Sequence, residues 1–224
     1  MAIDTVQPRA SQRGKIARDR LLQATSELMR ERNALDVPVA DIAVRARLNT
    51  ALIRYHFGSK EGLIFALLER DMREAVEKVS ALVALPIPPE QKMRMHLHAI
   101  NSMFANHPYL NRLIQATGET AHPTSMMELC DRLLRPAAEA QAHILEAGVL
   151  AGEFKPVDPE QFYFFSLGAC DGLHSSPFSM RALFAKEIDS DARQRYAEFT
   201  VDFIMAGLLL AQDKWRDKNG AAID

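Results

Sequence analysis

Apolar residues recur at intervals of three and four along almost the whole chain, and what interrupts them is proline and glycine. Long alternating β-branched runs are missing, and no Asn-Gly or Asp-Gly pair stands between two such runs. A chain patterned this way has one economical fold: helices that bury one face each against one another. The expected class is therefore all-α. The spacing predicts a helix over residues 12–32, with Ile16, Leu21, Leu22, Leu28 and Met29 on its buried side. A short helix over 38–47 follows, with Pro38 suited to its first turn. Asn49 is placed to cap a third helix that ends near Phe57. Gly58 permits the next turn, and Ser59 caps a long fourth helix that stops at Pro86, Pro88 and Pro89.

Beyond that cluster the pattern predicts helices over 90–106 and 109–119, and a long one over 124–151 that Pro136 should kink. Asp158 and Pro159 open another over 159–174, "SSPFS" reads as a loop or bend, and a last helix covers 191–214. The expected organisation is a mobile basic arm at 1–12, a three-helix unit at 13–58, a helical bundle at 59–215 and a tail at 216–224. The fourth helix joins unit to bundle with no flexible linker, so a rigid shift can pass between them.

Charge is unevenly shared between these parts. Residues 1–60 hold 11 Lys and Arg against 6 Asp and Glu, whereas residues 61–224 hold 16 against 23. A basic end on an acidic body fits local contact with a polyanion. No run approaches the ~18 apolar residues that a membrane span needs. Residues 1–20 lack the apolar core of a signal peptide, and the two cysteines, Cys130 and Cys170, cannot build a disulfide framework. The expectation is a cytoplasmic protein with no membrane partner and no cofactor.

The basic end carries the most informative stretch, "VADIAVRARLNTALIRYHFGSKEGL". Ile42, Ala43, Leu48, Leu52 and Ile53 lie on two short helices separated by a tight turn, which fits a helix-turn-helix. In such a unit the second helix enters the DNA major groove with its N-terminal residues against base edges. Thr50 can hydrogen-bond a base, and Ala51 and Leu52 can touch a thymine methyl. Arg54 reaches a phosphate or a guanine, while Tyr55 and His56 can hold the sugar-phosphate backbone. Lys60 stands at a helix N-terminus, whose free amides already favour a phosphate.

In these residues, and most distinctively in "YHFGSKEGL", the sequence resembles the tetracycline-repressor (TetR) family of bacterial transcription regulators. The resemblance is close over the first quarter of the chain and elsewhere extends to an all-helical body of the right length with a "GEFKPVDP" connector. It departs from the family at Pro38, where Thr is frequent, at Ala40, where a basic residue is frequent, and at Arg47, where the turn usually has Gly. A left-handed conformation there costs a non-glycine residue about 1 kcal/mol. Arg45, Arg47 and Arg54 are candidates to supply the anchoring that Pro38 and Ala40 do not.

The resemblance implies a homodimer on a palindromic operator of double-stranded DNA, repression as the mode of regulation, and a small organic effector bound in the bundle. Candidate effector contacts are Met103, Phe104, His107, Tyr109, Leu113, Met126, Met127, Cys130, Phe162, Phe165 and His174. Their character suggests a largely apolar molecule, and Met suits a site that accepts varied shapes. The implied interface comprises the last two main helices, with Phe165, Gly168, Ala169 and Gly172 on one and Phe199, Phe203, Ala206 and Leu210 on the other.

Two other functions fit less of the sequence. A helical partner-binding protein with degenerate DNA reading would explain Pro38 and Ala40. A metal-binding bundle enzyme would explain seven histidines, but His96 and His98 lie about 200° apart on a helix. No HExxH, CxxC, nucleophile elbow or glycine-rich phosphate loop occurs, and Glu-x-x-His occurs once, at Glu119–His122, where a bundle metal site needs two, so no catalytic or metal-ligating residue is expected.

Overall fold

In a computed structural model, which describes residues 7–210, helices follow one another from end to end. They are α1 (Gln7–Arg32), α2 (Val39–Ala46), α3 (Ala51–Phe57), α4 (Lys60–Val83), α5 (Pro89–Asn106) and α6 (Leu110–Thr120). Then come α7 (Pro123–Leu129), α8 (Arg135–Leu150), α9 (Pro159–Asp171), α10 (Pro177–Phe184) and α11 (Ser190–Leu208). Among the described residues there is no strand, only an isolated antiparallel bridge between Phe154 and Leu209. The fold is all-α, an N-terminal helix-turn-helix unit followed by a helical body.

In the N-terminal unit α1, α2 and α3 bury Leu21, Leu22, Leu28, Met29, Ile42, Ala46 and Ile53 in a core that continues through Leu63 and Leu67 of α4. Ile16 does not join it and is exposed. It precedes Leu21 and Leu22 by five and six residues, which places it about 120–140° around the helix from them. All three turns of the unit pass through a residue with positive φ: Asn33 at 49°, Arg47 at 53° and Gly58 at 75°. The α2 turn is a Schellman motif, with Leu48 N–H on the Ala43 carbonyl at 2.9 Å and Arg47 N–H on the Val44 carbonyl at 3.0 Å. Asn49 caps α3 as its sequence position predicts, its side-chain oxygen accepting from Ala51 N–H at 2.8 Å.

α4 runs unbroken out of the unit and packs in the body against α5, α6 and α8. α5 packs in turn on α8, α9 and α11, and Met93, Leu97, Ile100, Phe104, Ile144, Leu145, Cys170 and Met205 fill the shared interior. His96 is buried and His98 exposed, as their angular separation on α5 requires.

Four elements differ from the sequence expectation. α1 begins by Gln7, so residues 7–12 of the expected arm are helical, and residues 1–6 lie outside those described. The long helix over 124–151 is interrupted by a π turn at Cys130–Leu134, in which Arg135 N–H donates to the Cys130 carbonyl. Pro136 has no N–H and its ring excludes the carbonyl of residue 132, so the register opens just ahead of it. Residues 177–184 form α10, opened by Pro177 and stopped by Ala185 in the left-handed region. α11 ends at Leu208 because the chain is captured by the α8–α9 connector: Lys155 N–H donates to Leu208 and Leu210 N–H to Glu153, both at 2.9 Å. Residues 211–214, where that helix was expected to continue, and the tail lie outside the described residues.

Burial pushes the imidazoles of His96 and His174 down to about 4. Unfolded histidine titrates near ~6.5, so below that pH the unfolded chain binds more protons than the folded one. The contribution is whole above pH ~6.5 and is lost as pH falls toward 4, at about 1.4 kcal/mol per pH unit for each histidine. His96→Phe should therefore flatten the fall in urea-unfolding free energy between pH 7 and 4.5. A variant curve parallel to wild type would rule the assignment out.

Candidate nucleic-acid interface

α3 is short, and its geometry separates contact from support. Ile53 is buried and Leu52 and Phe57 are half-buried against the core. Thr50, Ala51, Arg54 and Tyr55 are exposed, Tyr55 to 80%. A phenol so open is accessible to a partner. His56 is half-buried, edge-on between the rings of Tyr55 and Phe57 at 4.9 and 6.2 Å between centroids. Arg18 of α1 stacks its guanidinium 5.3 Å over Phe57, a tie between α1 and α3 that the sequence did not reveal.

The candidate cations divide into two sets. Arg45 is engaged within the chain: its guanidinium donates to both oxygens of Glu31 at 2.8 and 2.7 Å and reaches Glu27 at 3.5 Å. The Glu31 hydrogen bond holds the Arg45 pKa well above its ordinary value. Arg45 thus fastens α2 to α1, as Arg32 does through Asp41 at 2.6 Å. Lys60 pairs with Asp36 in the α1–α2 connection. Arg47 and Arg54 have no ion-pair partner among the described residues, and both are exposed. They are the cations best placed to meet a phosphate.

The junction of α3 with α4 depends on a residue absent from the sequence reading. The Ser59 hydroxyl accepts from Gly62 N–H at 3.0 Å, capping α4. A Cβ added to Gly62 would stand 2.1 Å from the Phe57 carbonyl oxygen. Gly62 therefore lets the two helices meet at this angle. A lone glycine in the first turn of a predicted helix was the available signal.

In the body, the candidate effector residues do not line one cavity. Phe104, Tyr109, Leu113 and Phe162 are buried in the core, and Met127 and Phe165 are exposed. Met103 and His107 border a cavity of about 90 Å³ between α4 and α5, together with Asp71, Glu74 and Lys78. Met126 and Cys130 are half-buried. Beside them a cleft of about 210 Å³ between α4 and the π turn is lined by Phe65, Leu129, Leu133 and the paired Glu69 and Arg132. His174 borders a third, of about 190 Å³, on the α1 side. Asn101 Oδ1, Gln141 Oε1 and both His174 ring nitrogens are buried without a hydrogen-bond partner.

The candidate interface residues sort by face. Phe165, Gly168, Phe199, Phe203, Ala206 and Leu210 are exposed, and Phe199 stacks on Phe203 at 5.8 Å. Phe164 is exposed as well. Ala169 and Gly172 have a role inside the protomer: the Tyr196 hydroxyl donates to the Ala169 carbonyl at 2.5 Å, and a Cβ on Gly172 would stand 2.9 Å from that hydroxyl. Among the described residues no helix is long and apolar enough to cross a membrane, and no cluster of three metal-ligating side chains occurs.

Gly62→Ala should destabilise the protein by about 1–3 kcal/mol, because the obstacle is backbone and cannot step aside. Denaturant unfolding reads this directly, and a wild-type midpoint would refute the close approach.

Comparison with known proteins agrees with this geometry. Residues 21–67 match the family described as bacterial regulatory proteins, tetR family. Residues 86–214 match the tetracyclin repressor-like C-terminal domain. The HTH-type transcriptional repressor NicS of Pseudomonas putida is 24% identical over 204 residues, 88% of this chain and 95% of that one. The HTH-type transcriptional regulator BetI of Stenotrophomonas maltophilia is 34% identical over 65 residues, 29% of this chain and only 33% of its own length. A tetR-family regulatory protein from Rhodococcus RHA1 superposes with a TM-score of 0.67 at 19% identity, covering 88% of this chain and 98% of that one. With one family description covering the reading head and the other covering more than half of the chain, the protein belongs to the TetR family of DNA-binding transcriptional regulators.

Proposed function

We propose that the protein is a homodimeric repressor that binds a palindromic operator and leaves it when a small, largely apolar organic effector enters the body. It would act in the cytoplasm and carry no catalytic activity. The observation that carries the reading is the exposed face of Arg47, Thr50, Ala51, Arg54 and Tyr55, mounted on an α4 that continues into the body. Thr50 and Ala51 would face base edges, with Leu52 beside them. Arg47, Arg54, Tyr55, His56 and Lys60 would hold the backbone. Lys60 would first have to leave Asp36, an exposed pair of small net worth.

Dimerisation is supported by the apolar residues that α9 and α11 expose, Phe164 and Phe165 on one and the stacked Phe199 and Phe203 on the other. Two copies related by a twofold would offer two α3 helices to successive major grooves, about 34–36 Å apart. The clefts beside α4 are where an effector would act on the reading heads. Release requires that it bind the non-binding arrangement more tightly.

A duplex selected by the wild-type protein from a random-sequence pool tests the reading. Arg47→Gly should raise stability by about 0.5–1 kcal/mol by removing the left-handed strain. It should also weaken binding and lower the slope of log K against log[salt] by about 1. An unchanged slope would remove Arg47 from the interface. Phe203→Asp should convert a dimer to a monomer in light scattering and abolish tight binding, and a variant that stays dimeric would place the interface elsewhere.

A further inference from the structure

We propose that Tyr109 is a positioning residue for DNA binding: its hydroxyl latches the body to α1 and so fixes where the reading head sits. Tyr109 stands at the start of α6 and is fully buried. Its hydroxyl donates to the Asp71 carboxylate of α4 at 2.5 Å and accepts from the Ser26 hydroxyl of α1 at 2.7 Å. Three elements thus meet on one oxygen, and one of them is the helix on which α2 and α3 pack.

The cost of the arrangement argues that it is not incidental. Asp71 is a buried carboxylate, and a charge taken out of water has to be matched by close, well-oriented donors. Arg70 supplies two of them, Nε at 2.7 Å and Nη2 at 2.6 Å. The third comes from a phenol that reaches across to another part of the chain. A phenylalanine would fill the same space and leave both Asp71 and Ser26 short of a partner. His107 Nδ1 lies 3.4 Å from both Asp71 and the Tyr109 oxygen, and the 90 Å³ cavity reaches the latch through Asp71 and His107. A second tie runs parallel to the first, from Arg112 of α6 to Asn33 at the end of α1, at 2.5 Å. α6 therefore grips α1 at two points, and α3 inherits its placement from α1.

The test uses the full chain and a duplex that the wild-type protein selects from a random-sequence pool. Tyr109→Phe and Ser26→Ala should each raise Kd by about tenfold, the worth of a hydrogen bond in a charged network. The double variant should be no worse than Tyr109→Phe alone, since the bond that Ser26→Ala removes is already lost with the Tyr109 hydroxyl. Amides of residues 21–32 should exchange faster in both single variants. Tyr163→Phe, which removes a phenol between α8 and α9, should change neither. Wild-type affinity in Tyr109→Phe, or losses that simply add, would overturn the latch. If Tyr109→Phe does not fold, the milder Ser26→Ala carries the affinity and exchange readouts alone. If the wild-type protein selects no duplex, the DNA-binding reading fails instead, and the exchange data still decide whether Tyr109 holds α1.

Discussion

The fold depends on α4 being a single helix with two employers. Its first two turns close the core of the N-terminal unit through Leu63 and Leu67, and its later turns bury Met72, Val79 and Leu82 in the body. A helix hydrogen-bonded along its whole length moves as a rod. A shift in the body is therefore felt at Ser59, and a constraint on the reading head is felt in the body. A flexible connector would have allowed each part to fold well and would have lost that coupling.

Rigidity at the junction comes from close approach. Gly62 sits against the Phe57 carbonyl, Ser59 caps the helix that begins there, and Gly58 takes the positive φ that reverses the chain. On the other side, Arg45 and Arg32 bind α2 to α1 through Glu31 and Asp41. The basic end of the chain thus spends part of its charge internally. Counting cations overstates what is available to a polyanion. The structure separates Arg45, which is occupied, from Arg47 and Arg54, which are not.

Much of this was legible in the sequence because it rests on local chemistry. Asn49, Ser59 and Asp158 announce helix starts by capping, and the "YHFGSKEGL" run carries the family resemblance. The interrupted helix near Pro136 was also visible, although not that the interruption would be a π turn. What escaped depends on contacts distant in sequence. Gly62 matters because of where Phe57 ends, and α11 stops at Leu208 because residues 153–155 reach it. The candidate effector contacts were the least legible as a group, since they do not line one cavity. Apolar residues at helical spacing look the same whether they fill a core, as Phe104 does, or stand in solvent, as Phe165 does. Only packing separates them, and packing is not periodic information.

The turns of the reading head show a further division. Asn33, Arg47 and Gly58 all adopt positive φ, yet only one is glycine. Asn tolerates that region through its short polar side chain, so Asn33 and Gly58 cost little. Arg47 does not, and about 1 kcal/mol is given up there. Strain of this kind persists where surrounding structure over-determines it, and the Schellman bonds of Arg47 and Leu48 do so. A glycine would relieve the strain and remove an exposed guanidinium from the turn that leads into α3. The strained residue is thus also one of the two candidate cations, with Arg54, that have no ion-pair partner among the described residues.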